Sequence, residues 1–278
     1  MTLLKGDHRV GNPFRGLSVF EVTVLGALKS NRAKMLTLLG LIPPIITVLF
    51  ALFQPMTSTP PQKDVRQLFT QAFVIFYLIL FGWIVTLIFA TSLVADEKRD
   101  RTLSYFLTRP ISRAELVLWK WISLEIILAL AFLVPVFSFY VAMEGAIGLN
   151  EQDLARGFEE IIKNSEVGFH AYYVLFVVSS AYGAILMFLG IVIDRPIIVG
   201  GLILFGELFV LRGLMVSLNL SLFSLSSHMQ NIAEEFLYFA GPPEDFPFTV
   251  LESHSVYLLI ILGSLIASIL AVHRMDFP

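Results

Sequence analysis

The sequence contains no cysteine. That absence excludes disulfides, thiolate-ligated zinc, iron–sulfur clusters and thiol nucleophiles. Charge is also scarce: Asp, Glu, Lys and Arg make up 15% of the chain, while 56% is hydrophobic. A water-soluble domain seldom reaches that combination, so an integral membrane protein is the default reading. No G-x-x-x-x-G-K-[ST] run is present, so the chain has no P-loop to cradle ATP phosphates. H-E-x-x-H and G-x-S-x-G are missing as well, which removes two common hydrolase signatures. The 5 histidines, His8, His170, His228, His254 and His273, are scattered; His228 with His254 is a weak metal candidate, and no metal site is expected. The first apolar run has spanning length and lacks a small-residue cleavage site, which argues against a signal peptide.

What is present is a set of long apolar segments. A helix crossing about 30 Å of hydrocarbon needs about 20 apolar residues. Six segments qualify, at about 35–54, 70–95, 114–143, 169–193, 196–218 and 251–272. The alternation expected of a membrane barrel is absent. The fold class is therefore all-α, an integral membrane bundle forming a single domain over residues 1–278. Lys and Arg concentrate before the first segment, in and beside the second connection, in the fourth connection and after the last segment. With six crossings these fall on one side, which places both termini in the cytoplasm. The net charge of −3 hides this asymmetry and gives no reason to expect a nucleic-acid partner.

Taken in order, residues 1–16 read as flexible, with Gly6, Gly11, Pro13 and Gly16 among charges. Residues 17–34 read as an interfacial helix, opened by a Ser18/Glu21 capping box and lined by Phe20, Val24 and Leu28. Pro43 and Pro44 predict a kink in the first span. The second span is expected to start near Thr70 and to end near Ala95. Residues 144–168 predict an external loop with its own helix, carrying Leu154, Phe158, Ile161 and Ile162 on one face. Ser179, Ser180, Gly183 and Ala184 in the fourth span, and Gly263, Ser264, Ala267 and Ser268 in the last, stand at close-packing intervals. Between spans five and six, Met229, Ile232, Ala233, Phe236 and Leu237 predict another amphipathic helix, stopped at Gly241-Pro242-Pro243.

Two carboxylates fall inside spans, Glu125 and Glu207. An uncompensated charge there costs at least about 2.5 kcal/mol on insertion scales. Glu207 is a candidate for a translocation path or a dimer seam, against a structural, interhelically bonded Glu. Glu125, nearer the cytoplasmic boundary, is expected to pair with a base.

The longest charged run is Asp96 to Glu115. Leu103, Phe106 and Leu107 share one helical face, Pro110 ends that helix, and Ser112 with Glu115 forms a capping box for the next. The run Glu97-Lys98-Arg99-Asp100-Arg101-Thr102-Leu103, then Phe106-Leu107-Thr108-Arg109-Pro110-Ile111-Ser112-Arg113, then Lys120, resembles the E-x-x-x-G-T-L-E-x-L-L-x-x-P-x-S-R loop of type-2 ABC transporter permeases. Arg101 stands where that pattern has Gly, and Ser104 where it has Glu.

The resemblance implies a permease subunit of an ATP-driven exporter in the cell (inner) membrane. It makes residues 17–34 the elbow helix. It makes Glu97, Arg101, Thr102, Leu103, Phe106, Leu107, Arg109 and Pro110 the coupling helix that docks on a separate ABC-type ATPase. Asp194 and Arg195 would form a second, smaller coupling turn. Two ATPase copies and a second permease copy, identical or not, are implied. ATP and magnesium would sit on the ATPase, with no cofactor on this chain and no catalysis by it. Two alternatives use the same residues: an ion-coupled secondary transporter working through Glu207 and Glu125, and a membrane scaffold that docks an ATPase to transmit force.

Overall fold

A serine breaks the first helical run. In the computed structural model, which describes residues 15–53, 62–99, 111–150, 153–218, 220–237 and 246–274, α1 covers Arg15–Lys29 and α2 covers Asn31–Gly40. Ser30 between them has an extended backbone, and its Oγ accepts from the Ala33 N–H at 3.2 Å. An N-cap of this kind competes with helix continuation, so the boundary expected at residue 34 lies at residue 30. Ser18, expected to open the helix, lies inside α1, because Arg15 already starts the helical run.

The chain turns again at Leu41, and α3 covers Ile42–Phe53. Pro43 and Pro44 stand in the first turn of α3, and their missing N–H groups leave carbonyls of the preceding turn, Gly40 among them, without a helical donor. Leu41 keeps a helical backbone, so residues 31–52 remain one span, with its regular bonding interrupted at the prolines. The second span is longer than expected at both ends: α4 (Gln62–Ala72), a π-helical stretch (Phe73–Phe81) and α5 (Gly82–Arg99) follow without interruption. The wider π turn is seen in the bond from the Gly82 N–H to the Tyr77 carbonyl.

α6 runs from Arg113 to Asn150, 38 residues, which at 1.5 Å each is about 57 Å, well beyond a bilayer core. Residues 144–150, read above as loop, are thus the projecting end of α6. α7 (Leu154–Lys163) connects to α8 (Ser165–Val192). Of its expected apolar face, Ile161 packs against the core, while Phe158 is 67% and Ile162 74% exposed. α9 (Pro196–Gly206), a π turn (Glu207–Leu211) and α10 (Arg212–Ser217) form the fifth span. A 3-10 turn at Ser221–Phe223 leads into α11 (Leu225–Phe236), and α12 (Val250–Arg274) closes the chain. α11 stops at Phe236, ahead of Gly241-Pro242-Pro243, which lie outside the described residues.

Every element among the described residues is helical, and six helices are long and apolar enough to cross a membrane. The chain is a multi-pass membrane protein. α8 is the most buried span, with α5, α6 and α12 packed around it. Small residues allow that closeness: a Cβ on Gly190 would sit 3.0 Å from the Thr91 carbonyl oxygen of α5. Gly263 behaves otherwise, since nothing lies within 4 Å of an added Cβ; its face of α12 is open and not a packing seam within this chain. Aromatic rings fill another part of the core, where Phe69, Phe73, Tyr77, Phe81 and Phe139 meet ring to ring, some stacked and some edge-on or tilted.

Candidate functional site

Asp96, Glu97 and Lys98 are consecutive in the last turns of α5, so at 3.6 residues per turn they leave the helix in three different directions. Each meets a different part of the bundle. The Asp96 carboxylate accepts from Arg32 of α2 at 2.7 Å and lies 3.3 Å from Arg99. Glu97 pairs with Lys120 of α6, and the same ammonium donates to the Thr23 hydroxyl of α1 at 3.0 Å. Lys98 donates to Asp194 at 2.9 Å, in the turn between α8 and α9.

The three tethers differ in kind. The Lys120 side chain is 3% exposed, so its charge is sustained by good pairing rather than by water. The Lys98–Asp194 pair is open to solvent, with Asp194 at 90% exposure; such pairs set geometry more than stability. The hydrogen bond from Lys98, with its positive charge, holds the Asp194 carboxyl below the usual carboxylate range.

Next to this cluster the capping box forms as expected: the Ser112 N–H donates to Glu115 Oε2 at 2.9 Å and the Glu115 N–H to Ser112 Oγ at 3.1 Å. Arg113 then reaches the last turn of α12, donating to the carbonyls of Val272 at 3.0 Å and His273 at 2.7 Å. A cation on these carbonyls satisfies a helix C-terminus and complements its dipole.

Of the residues expected to couple to an ATPase, Glu97 turns into the bundle and meets Lys120. Arg101, Thr102, Leu103, Phe106, Leu107, Arg109 and Pro110 lie outside the described residues. Asp194 is brought to Lys98, while Arg195 is exposed at the start of α9. Thr23, Arg32 and Lys98 had no local signal as tethers, because each partner is distant in sequence.

The two intramembrane carboxylates stand in separate networks. Glu125 accepts from the Ser180 hydroxyl of α8 at 2.5 Å, a hydroxyl where a base was expected; the neighbouring base, Lys120, is taken by Glu97. Glu207, 8% exposed, accepts through Oε1 from Ser224 Oγ at 3.0 Å, from the Ser226 N–H at 3.1 Å and from Ser226 Oγ at 3.4 Å. A carboxylate from the fifth span thus caps the N-terminus of α11, where helix dipole and unsatisfied N–H groups favour it.

α11 is fastened along its length. His228 Nε2 meets the Leu222 carbonyl at 2.9 Å and Nδ1 meets Ser253 Oγ at 3.0 Å. A carbonyl only accepts, so the proton belongs on Nε2 and Nδ1 accepts from Ser253. Asn231 donates to Ser253 at 2.9 Å and Tyr257 to the Leu225 carbonyl at 3.0 Å. Burial pushes the His228 pKa down. His254 is engaged elsewhere, by Tyr173 at 2.8 Å and the Val250 carbonyl at 2.8 Å. Thr249 and Glu252 form a capping box for α12, one that the T-x-x-E spacing in the sequence would have revealed.

A chain of membrane helices thus carries, at the end of its second span, a cluster of charges that binds its separate elements together. No curated protein matches the chain. The family model described as ABC-2 family transporter protein matches residues 27–274. That match takes in every span, the tethers at Asp96, Glu97 and Lys98, and α11, and the chain belongs to the ABC-2 transporter family of membrane proteins.

Proposed function

We propose that the chain is the permease subunit of an ATP-driven ABC exporter, with hydrolysis carried out by a separate ABC-type ATPase. In this reading two ATPase copies serve a pair of permease chains in the cell membrane, with both termini cytoplasmic. Arg101, Thr102, Leu103, Phe106, Leu107, Arg109 and Pro110 dock in the ATPase, and Asp194 with Arg195 adds a second contact. α1 acts as the elbow helix.

The observation that supports this most is the fan of tethers from Asp96, Glu97 and Lys98. A force applied to the stretch after Arg99 is delivered at once to α1, α2, α6 and the α8–α9 turn, so the bundle responds as a unit. Glu97 is then a positioning residue that sets the base of the docking stretch. An ion-coupled carrier has less support, because Glu125 and Glu207 are held by different hydroxyl networks.

Co-purification with a candidate ABC-type ATPase tests the reading. Arg101→Glu and Phe106→Asp are expected to lose the complex while the permease stays folded. A complex indifferent to both changes overturns the docking assignment.

A further inference from the structure

α1 packs mainly on α6, and also on α2. Between α1 and α5 lies a cleft of about 490 Å³, lined by Thr23 and Gly26 of α1, Arg32 of α2, Phe89 and Asp96 of α5, and Lys120 of α6 at its floor. That volume is in the range of about 300–1,000 Å³ typical of small-molecule sites. We propose that this cleft seats the headgroup of a zwitterionic aminophospholipid, such as phosphatidylethanolamine. The proposal does not depend on whether an ATPase docks nearby.

Location is the first argument. The cleft adjoins the first turn of the first span, which begins at Asn31, and the last turns of the second, which ends at Arg99. Span ends lie where lipid headgroups lie.

Chemistry selects the class. The lining holds charges of both signs in two pairs, Arg32 with Asp96 and Lys120 with Glu97. A purely anionic headgroup would meet two carboxylates. A headgroup with its own phosphate and ammonium matches both signs, the phosphate at Arg32 and the ammonium at Asp96. These two are reachable, with side chains 50% and 34% exposed. A primary ammonium donates hydrogen bonds to a carboxylate, and a quaternary one does not. Val22, Ala27, Phe89 and Leu93 give the same cleft an apolar wall, which suits the start of acyl chains and not a free polar metabolite.

Native mass spectrometry of the purified chain tests this, in detergent doped with equal amounts of phosphatidylethanolamine, phosphatidylcholine and phosphatidylglycerol. One phosphatidylethanolamine is expected to be retained in several-fold excess over the other two. Gly26→Leu fills the cleft, and nothing lies within 4 Å of the added Cβ; this variant is expected to lose the retained lipid. Gly263→Leu, equally unobstructed but on α12, is expected to keep it. Arg32→Gln with Asp96→Asn leaves the shape and removes the two reachable charges, so the headgroup preference is expected to vanish. Retention without preference, preference for phosphatidylglycerol, or retention unchanged by Gly26→Leu overturns the proposal.

Discussion

The Tyr77 hydroxyl donates to the carbonyl of Gly40 at 2.7 Å. Gly40 is the residue whose carbonyl loses its helical donor, because Pro44 stands four positions on and has no N–H. A ring from the second span thus repairs a break made by a proline in the first. The same hydroxyl lies 3.2 Å from the Pro135 carbonyl in α6, so three helices meet there. The close approach of the helices at this point needs glycine at residue 40: a Cβ would sit 2.7 Å from both Phe81 and Pro135.

Tyr77→Phe is expected to destabilise the protein by about 1–3 kcal/mol, the cost of a buried carbonyl left without a donor. Gly40→Ala should lose about 1–3 kcal/mol through overpacking. The double variant should lose less than the sum, since both changes open the same junction. Unfolding midpoints in detergent check this, and a Tyr77→Phe protein as stable as the parent would sink the account.

Lys120→Met removes the ammonium that faces Glu97. A buried carboxylate left without its counter-charge is expected to cost on the order of 3 kcal/mol. Lys120→Met with Glu97→Leu should recover much of that loss, because the pair costs desolvation on both sides. A double-mutant cycle on thermal stability measures the coupling, and additive losses would show that the two residues act separately.

Glu207→Leu takes the acceptor away from the first turn of α11. A cap loss of about 1–2 kcal/mol is expected, read as faster amide exchange over residues 225–237 with little change in α8. Glu207→Gln keeps one acceptor oxygen and should keep most of the protection. A Gln variant with stability and transport both unchanged would remove a translocation role for this carboxylate.

His228 makes the attachment of α11 sensitive to pH. Its folded pKa is depressed by burial, partly offset by the Leu222 carbonyl and the charge of Glu252. Between the folded and unfolded values the unfolded state binds more protons, so stability rises with pH there. The contribution is complete above the unfolded value near 6.5 and is lost as pH falls towards the folded value. Amide exchange of α11 should accelerate on acidification below that value, and His228→Gln should flatten the response. A parent protein with flat exchange between neutral and mildly acidic pH would contradict the assignment.

Some of this was legible in the residues and some was not, for identifiable reasons. Hydropathy located six spans to within a few residues at most ends. It misplaced the ends where helix continues into polar sequence, as at Gln62–Ala72 and at residues 144–150, because solvation does not stop a helix. The cap at Ser30 has no apolar signal, because the spacing of Phe20, Val24 and Leu28 ends before it. Met229, Ile232 and Ala233 marked the buried face of α11 correctly. The polar residues buried beside them, Ser226, Ser227, His228 and Asn231, carry no hydropathy signal for burial.

The amino-acid order by itself determined the class, the number of crossings and the local turns. Each rests on interactions within a few residues or on transfer of a whole segment into hydrocarbon. The Ser112/Glu115 box is such a local event, complete within one helical turn. Only the tertiary structure decided which partner each buried charge takes. Glu97 met Lys120 across 23 positions and Glu125 met Ser180 across 55. Those choices follow from how each helix is rotated about its axis against its neighbours, a property of packed pairs that no single segment contains.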